Sequence, residues 1–428
     1  MPQDVVGVGL LGAGTVGSAL VELLTREALR ERVGVGVKLV RIAVAHPDKP
    51  RPAWVPRELL SFDPNEVVED PAVEVVVELM GGLEPARSVL LKALEAKKPV
   101  VTANKELLAR HGGELFAAAA KAGVDLLFEA AVGGAIPLVR PLRESLAGER
   151  IHRVMGIVNG TTNYILTKMS EDGMSYADAL AEAQQRGYAE RDPSADVEGR
   201  DAAAKAAILA SIAFGVEVDL ADVSVEGITA LTLEDIQFAK RSGFEVKLVA
   251  VAERVSDGEP PELSVRVHPA MISRSHPLAS VRGVHNAVFI EGDAVGELML
   301  LGRGAGGAPT AAAVLGDLID AAHNLRMGAA SRSPIRRPAR IQPLAEQSSC
   351  FCVSVAVADR PGVLAAVAGV FGANRVSIRS MEQVDLGREA RLVFVTHEAK
   401  EADMSATLAG LRHLEPVDKV GALLRVVG

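Results

Sequence analysis

The first seventeen residues constrain the fold most. Residues 5–11 (VVGVGLL) form an unbroken apolar run, and Gly12-Ala13-Gly14-Thr15-Val16-Gly17 follows directly. An apolar run of that length reads as a parallel strand buried on both faces. A helical pattern then covers about residues 18–30. GxGxxG alone is a weak signal, but between a strand and a helix it marks a dinucleotide-binding βαβ unit. The first glycine permits a tight turn, the second lets the backbone approach a pyrophosphate, and the third lets helix pack on strand. The helix start offers free N–H groups and the positive end of its dipole to phosphates. Gly12, Gly14, Thr15, Val16 and Gly17 are therefore the candidate cofactor residues.

The pattern continues with strands over 37–45, 73–79, 99–102 and 124–128 and helices over 85–96 and 106–122. Regular alternation of strand and helix predicts an α/β, doubly wound parallel sheet of the Rossmann type. It stops near Gly133-Gly134, which sets a first domain at 1–134. Helices follow at 162–170, 176–186 and 199–214, then strands at 245–254, 263–267, 287–291 and 297–301. That segregation predicts an α+β catalytic and dimerisation domain over 135–307. A helix at 308–325 completes the first domain. Residues 331–349 hold three prolines and four arginines without periodicity, and read as a linker. Residues 350–428 follow the order strand 351–357, helix 361–373, strands 376–382 and 391–397, helix 402–412, strand 419–427. That βαββαβ order is ferredoxin-like.

Composition narrows the partners. The formal charge of −9 gives no electrostatic reason to expect nucleic acid or an anionic membrane. Aromatics are only 3 %, so the cores must be built from Val, Leu, Ile and Ala. Cys350 and Cys352 are the only cysteines, too few and badly spaced for zinc, and read as reduced thiols of a cytoplasmic protein. Residues 1–4 carry no basic stretch before the apolar run, so no signal peptide is expected, and no segment reads as transmembrane.

Three places carry chemistry. The second strand ends Val44-Ala45-His46-Pro47-Asp48-Lys49-Pro50-Arg51. The acid that would bind a free ribose 2′-OH is missing from the tip. His46, Lys49 and Arg51 could face a 2′-phosphate, or Lys49 and Arg51 could be solvated loop charges. Lys105, in Thr102-Ala103-Asn104-Lys105, falls at the carboxyl end of a parallel strand, where ligands bind in open α/β sheets. Asp201 and Lys205 are i and i+4 on one helix. Spacing alone fits a surface ion pair, but the surrounding Ala, Ile and Leu argue for burial, and a buried lysine beside a carboxylate is a candidate acid/base.

The segments GIVNGTTNYIL (156–166), GYAERDP (187–193), VTANK (101–105), GGLEPA (81–86), FEAAVGGAIP (128–137) and the Asp201/Lys205 pair together resemble homoserine dehydrogenase. The resemblance covers roughly residues 5–325. Asp359-Arg360-Pro361-Gly362-Val363-Leu364 resembles the start of an ACT domain. The resemblance implies interconversion of L-homoserine and L-aspartate 4-semialdehyde with NADP or NAD, in threonine, methionine and isoleucine biosynthesis. It implies Lys205 as general acid/base, Asp201 as the carboxylate that positions it, and Lys105 as a second lysine near the reacting centre and the cofactor. Glu190, Asp196 and Asp201 would surround the substrate ammonium, with Thr161 and Tyr188 nearby. Gly187 and Gly302 would lie close to the cofactor. Glu129, Val132, Gly134 and Ile136 would bind a monovalent cation, Na⁺, largely through backbone oxygens. Relatives often carry Arg-Asp where this chain has Ala45-His46, which leaves NAD and NADP open.

The ACT block implies regulation by an amino acid, L-threonine on pathway logic, and a homodimer or homotetramer. Gly362 and Pro361 would leave amides free for the effector carboxylate, with Asn374 as a further polar partner. The alternatives are another ACT-tailed Rossmann dehydrogenase, such as phosphoglycerate dehydrogenase, or a catalytically inactive sensor. The first lacks an N-terminal dinucleotide motif and uses a histidine. The intact Lys105, Glu190, Asp201 and Lys205 set argues against the second.

Overall fold

The computed structural model describes residues 5–25, 34–46, 48–258, 260–331, 337–385 and 389–427. The N-terminal residues 1–4, the end of the first expected helix (26–30) and linker residues 332–336 lie outside them. The chain divides into two compact units, one of residues 1–151, 207–221 and 291–339, the other of residues 152–206, 222–290 and 340–428.

The first unit is built on β1 (Val5–Leu11), α1 (Thr15–Leu24), β2 (Gly36–Ala43), β3 (Leu60–Ser61), α2 (Pro64–Glu69), β4 (Val75–Glu78), α3 (Ala86–Glu95), β5 (Val100–Thr102), α4 (Lys105–Ala122) and β6 (Leu126–Leu127). The sheet order is β3-β2-β1-β4-β5-β6, with all neighbours parallel. This is the doubly wound order, whose direction reverses between β1 and β4 and opens a crevice there at the carboxyl ends of the strands. Val6, Val8 and Leu10 of β1 are fully buried, together with Val75 and Val77 of β4. The helix Gly307–Met327 adds Ala311, Val314 and Leu318 to the same core.

The second unit carries one continuous sheet. Within this unit its strands run in the order His285–Gly292, Ile151–Ile157, Phe244–Ser256, Glu262–Ser273, Val417–Val427, Ser348–Ala358, Glu389–Thr396 and Ile378–Asp385. The last four, with helices Val363–Ala373 and Glu401–Arg412, have the ferredoxin-like strand order expected of residues 350–428. Phe351, Val355, Val367, Phe371 and Phe394 form its core, with the Phe371 and Phe394 ring centroids 4.8 Å apart.

Sequence reasoning treated this block as a separate module behind a linker, yet its outer strand Val417–Val427 pairs in parallel with Glu262–Ser273 through Ala270↔Arg425, Met271↔Val426 and Ile272↔Val427. On the face opposite its helices, Ser354 Oγ donates to Asp235 Oδ1 at 3.1 Å, so the helix Leu233–Arg241 of the same chain reaches that face. Strand Ile151–Ile157 and helix Leu233–Arg241 were not foreseen at all. The first holds Gly156 and lacks clean alternation; the second is announced by a Thr232/Asp235 capping box.

Candidate active site

In the first unit the glycine motif has the geometry a dinucleotide needs. Gly12 adopts φ +100°, open to glycine at no steric cost, and its amide donates to Ala43 O at 2.8 Å. A Cβ on Gly17 would lie 2.1 Å from Gly12 O, whereas a Cβ on Gly14 would meet nothing within 4 Å. Gly17 is thus required by packing, and Gly14 leaves the approach to the helix start clear. The Thr15 and Val16 amides open α1 there. A cavity of about 880 Å³ begins at Gly12–Thr15 and runs past the β2 tip at Ala43–His46. Lys49 and Arg51 both line it. Arg51 donates to His46 O at 2.9 Å and to Lys49 O at 3.1 Å, which ties its guanidinium to the tip.

The opposite wall rests on a buried acid that sequence reasoning missed. Glu78, at the end of β4, is fully buried and accepts from the Met80 and Gly81 amides at 2.7 and 3.0 Å and from Thr102 Oγ1 at 2.6 Å. Asn104 caps α4 through Leu107 N and donates to Gly82 O at 2.7 Å. These bonds fix the loops after β4 and β5, and Lys105 opens α4 at that carboxyl edge, half-buried. Met80, Gly81 and Pro85 face the cavity from this side.

The second unit gathers the acid–base cluster. Lys205 Nζ donates to Asp201 Oδ2 and to Val158 O, each at 2.7 Å. Both side chains are nearly buried, at 12 % and 11 % exposure, so the pair is not the solvated surface pair that spacing alone would allow. Asn159 Nδ2 donates to Asp196 Oδ1 at 2.6 Å and to Asp201 Oδ2 at 2.8 Å, while its Oδ1 accepts from Thr162 N. One amide therefore joins both carboxylates and caps the helix Gly160–Asp172. Asn159 was quoted in a motif but given no role; an Asn before a helical run is the cap signal that could have found it. Burial raises the Asp196 carboxyl above its ordinary range; the Asn159 bond opposes this, and the Asp201 charge adds to it.

Thr161 Oγ1 donates to Tyr188 O at 2.8 Å, and the Tyr188 ring packs edge-on against Tyr164 at 5.0 Å. Gly187, at φ +73°, turns the chain into this segment. Glu190 is exposed; its carbonyl accepts from Gln184 Nε2 at 3.0 Å, and among the described residues no hydrogen bond ties its carboxylate to the cluster.

The expected cation loop lies in the first unit. The Glu129 carboxylate accepts from the Leu138, Val139 and Arg140 amides, so it is committed to the protein. Gly133 and Gly134 are both left-handed, at φ +76° and +59°. Among the described residues no backbone amide donates to the carbonyls of Val132, Gly134 or Ile136. Only carbonyl oxygens are on offer, which suits a hard monovalent ion better than a transition metal. Gly302, on the strand Gly296–Arg303, packs here: a Cβ would meet Ile136 Cγ1 at 3.0 Å.

In the C-terminal block a cavity of about 350 Å³ is lined by residues 357–364 and by Gln383, Ala390 and Leu392. Gly362, at φ +90°, is the N-cap of the helix Val363–Ala373. Asn374 caps the other end of that eleven-residue helix, about 18 Å away by helical rise, and donates to Val370 O. The expected partnership of Asn374 with the Gly362 amides in one site is therefore corrected. Cys350 and Cys352 are free thiols, and burial pushes the Cys352 thiol up to about 12, which leaves it inert. Among the described residues no helix is long and apolar enough to cross a membrane.

Three family profiles match: "Homoserine dehydrogenase, NAD binding domain" over residues 12–129, "Homoserine dehydrogenase" over 137–319, and "ACT domain" over 353–412. A homoserine dehydrogenase of Corynebacterium glutamicum is 48 % identical over 431 residues, covering 99 % of this chain and 96 % of that one. The crystal structure of a homoserine dehydrogenase from Thiobacillus denitrificans superposes with a TM-score of 0.93 at 38 % identity, covering 99 % of both chains. A hyperthermophilic archaeal homoserine dehydrogenase mutant, solved in complex with NADPH, matches 75 % of this chain and 98 % of its own at 30 % identity and a TM-score of 0.63. With a dinucleotide cradle at one end and an ACT domain at the other, the chain belongs to the homoserine dehydrogenase family and is an NAD(P)-binding oxidoreductase.

Proposed function

We propose that Lys205 moves the hydroxyl proton when L-homoserine and L-aspartate 4-semialdehyde interconvert. An ammonium carries three N–H groups. Two of Lys205's go to Asp201 and Val158 O, which fixes the nitrogen and leaves one donor for the substrate oxygen. That arrangement is the observation that carries the proposal. In the reducing direction Lys205 gives this proton to the developing alkoxide; in the oxidising direction the neutral amine takes it back. The bound nicotinamide supplies the hydride chemistry. Lys105 is the second lysine assigned to the reacting centre.

Asp196 and Asp201, spaced by Asn159, present two carboxylates suited to the α-ammonium, and Glu190, Thr161 and Tyr188 complete that assignment. Gly187 and Gly302 are assigned to the cofactor's surroundings. Arg51 and Lys49 favour NADP over NAD, since a guanidinium held at the β2 tip suits a 2′-phosphate; the archaeal relative's complex with NADPH is consistent with that choice. The carbonyls of Glu129, Val132, Gly134 and Ile136 are assigned to Na⁺. The C-terminal cavity is assigned to L-threonine as feedback inhibitor, and the chain to a cytoplasmic homodimer or homotetramer.

Lys205→Ala tests the central assignment. Homoserine oxidation should fall by about 10²–10⁴-fold with homoserine still bound, as for loss of a general acid/base, and small external amines should restore part of it. Near-normal turnover in the variant would take Lys205 out of this role.

A further inference from the structure

Two large aromatic side chains stand open in the nucleotide cavity, and the glycine motif does not account for either. Trp54 is 45 % exposed and Phe62 is 71 % exposed, and both line the cavity that starts at Gly12–Thr15. Burying an aromatic side chain removes 150–250 Å² from water, so leaving two exposed in one concave site marks a surface waiting for a flat apolar partner.

Their placement follows from the fold. Trp54 Nε1 donates to Ser18 O in the first turns of α1 at 2.9 Å, which ties the indole edge to the phosphate-binding helix. Phe62 follows Ser61, whose pairing with Ala43 sets it beside the β2 tip. Arg51, held at His46 O and Lys49 O, lines the same cavity. In this fold the pyrophosphate meets the start of α1 and the adenosine ribose meets the tip of β2. The base must continue beyond that ribose, on the side of the cavity where Trp54 and Phe62 stand.

We propose that Trp54 and Phe62 form the adenine platform of the dinucleotide site, the base stacking on their ring faces while Arg51 handles the ribose. Stacking on aromatic faces is tolerant of the base's polar pattern and draws on apolar area as well as quadrupole attraction. The inference rests on the NAD(P) reading of this cavity and adds the residues that recognise its adenosine half.

Trp54 is the chain's only tryptophan, so its emission reports from this cavity alone. The full-length protein would be titrated with 5′-ADP, 2′,5′-ADP and nicotinamide mononucleotide, by tryptophan emission and by calorimetry. Both adenine-bearing halves should change Trp54 emission saturably, and the mononucleotide should not. Phe62→Ala, at a position too exposed to hold the fold, should weaken 5′-ADP by about tenfold. Trp54→Ala should weaken it similarly by calorimetry, and Trp54→Phe should keep most of the affinity. Calorimetric binding of 5′-ADP with unchanged Trp54 emission, and with unchanged affinity in Phe62→Ala, would overturn the platform while leaving the cofactor reading standing. Failure of NADP and NAD themselves to bind would instead remove the cofactor reading, and the platform with it.

Discussion

Asn159 Nδ2 donates to Asp201 Oδ2 at 2.8 Å, the same carboxylate oxygen that accepts from Lys205. One amide therefore sets the carboxylate that sets the lysine, and its second N–H holds Asp196. Asn159→Ser keeps a helix cap, because a serine hydroxyl can still accept from Thr162 N. It removes the bridge between two buried like charges. The kcat/KM for homoserine should fall by about 10²-fold, the scale of a small misplacement in a reacting site, with the dinucleotide KM little changed. An equal loss for both substrates would make Asn159 a general structural residue.

The same bridge shapes the pH profile. If Asp196 holds the substrate ammonium as proposed, it must be ionised; burial raises its pKa, with Asp201 adding to the effect. A raised pKa means that Asp196 gains its proton at a higher pH than an ordinary aspartate does. On acidification, kcat/KM for homoserine should therefore begin to fall above the usual aspartate range. Asp196→Asn should lower the plateau and remove that limb. A limb of unchanged position in the variant would assign it to another group.

Much of this was legible because the signals are local. The glycine motif needs only neighbouring residues to specify its turn and packing, and Gly12, Gly14 and Gly17 each have the geometry expected of them. The Asp201/Lys205 pair needs only helical spacing. What failed depended on distant chain. The expected strand 263–267 runs on to Ser273, through His268-Pro269. The second-edge partners of that strand pair at Arg266–Val267 and at Ala270–Ile272, so the proline falls in the gap between them. Glu78 was missed because its burial and its bond from Thr102 arise only when β4 and β5 pair, although the Met80 and Gly81 amides that it also accepts from are local. Trp54 and Phe62 gained meaning only because the loop 48–56 and the residues just after β3 line one cavity.

Arg51→Ala should separate the two dinucleotides. The guanidinium is held at the β2 tip by two backbone carbonyls and lines the cavity. A charge-assisted bond to a 2′-phosphate contributes about 1.5–3 kcal/mol, so the KM for NADP should rise at least tenfold on that scale while the KM for NAD moves much less. Equal changes for both would reduce Arg51 to a strut of the 48–56 loop.

If threonine binds in the C-terminal cavity as proposed, Leu364→Glu should desensitise the enzyme. Leu364 is 39 % exposed, lines the C-terminal cavity, and lies in the first turn of the helix Val363–Ala373. A carboxylate there is favourable to the helix dipole but repels an effector carboxylate aimed at the same amides. Threonine inhibition should weaken while uninhibited turnover stays. Unchanged inhibition would move the effector out of this cavity.

Deleting residues 350–428 is the harsher test, and the sheet explains why. The deletion strips Val417–Val427 from Glu262–Ser273 and removes Arg425. Arg425 is 8 % exposed; Nε and Nη2 grip Glu401 at 2.6 and 3.0 Å, and Nη1 reaches Glu226 at 2.6 Å. Two residues on from Glu226, Ile228 N donates to Val197 O, beside Asp196. A side chain of the C-terminal block is thus two links from Val197, the neighbour of Asp196. Arg425→Met should cost about 3–5 kcal/mol, the usual consequence of stranding a buried partner, and Arg425→Met/Glu401→Met should recover much of it in a thermal melt. Glu226→Gln is the finer probe, because Glu226 is 40 % exposed and its loss leaves the Arg425–Glu401 pair intact. If the effector acts along this route, Glu226→Gln should shift the homoserine KM and blunt threonine inhibition together, within the roughly 1–3 kcal/mol typical of coupling between sites. A variant that keeps both at their original values would show that the coupling bypasses Arg425.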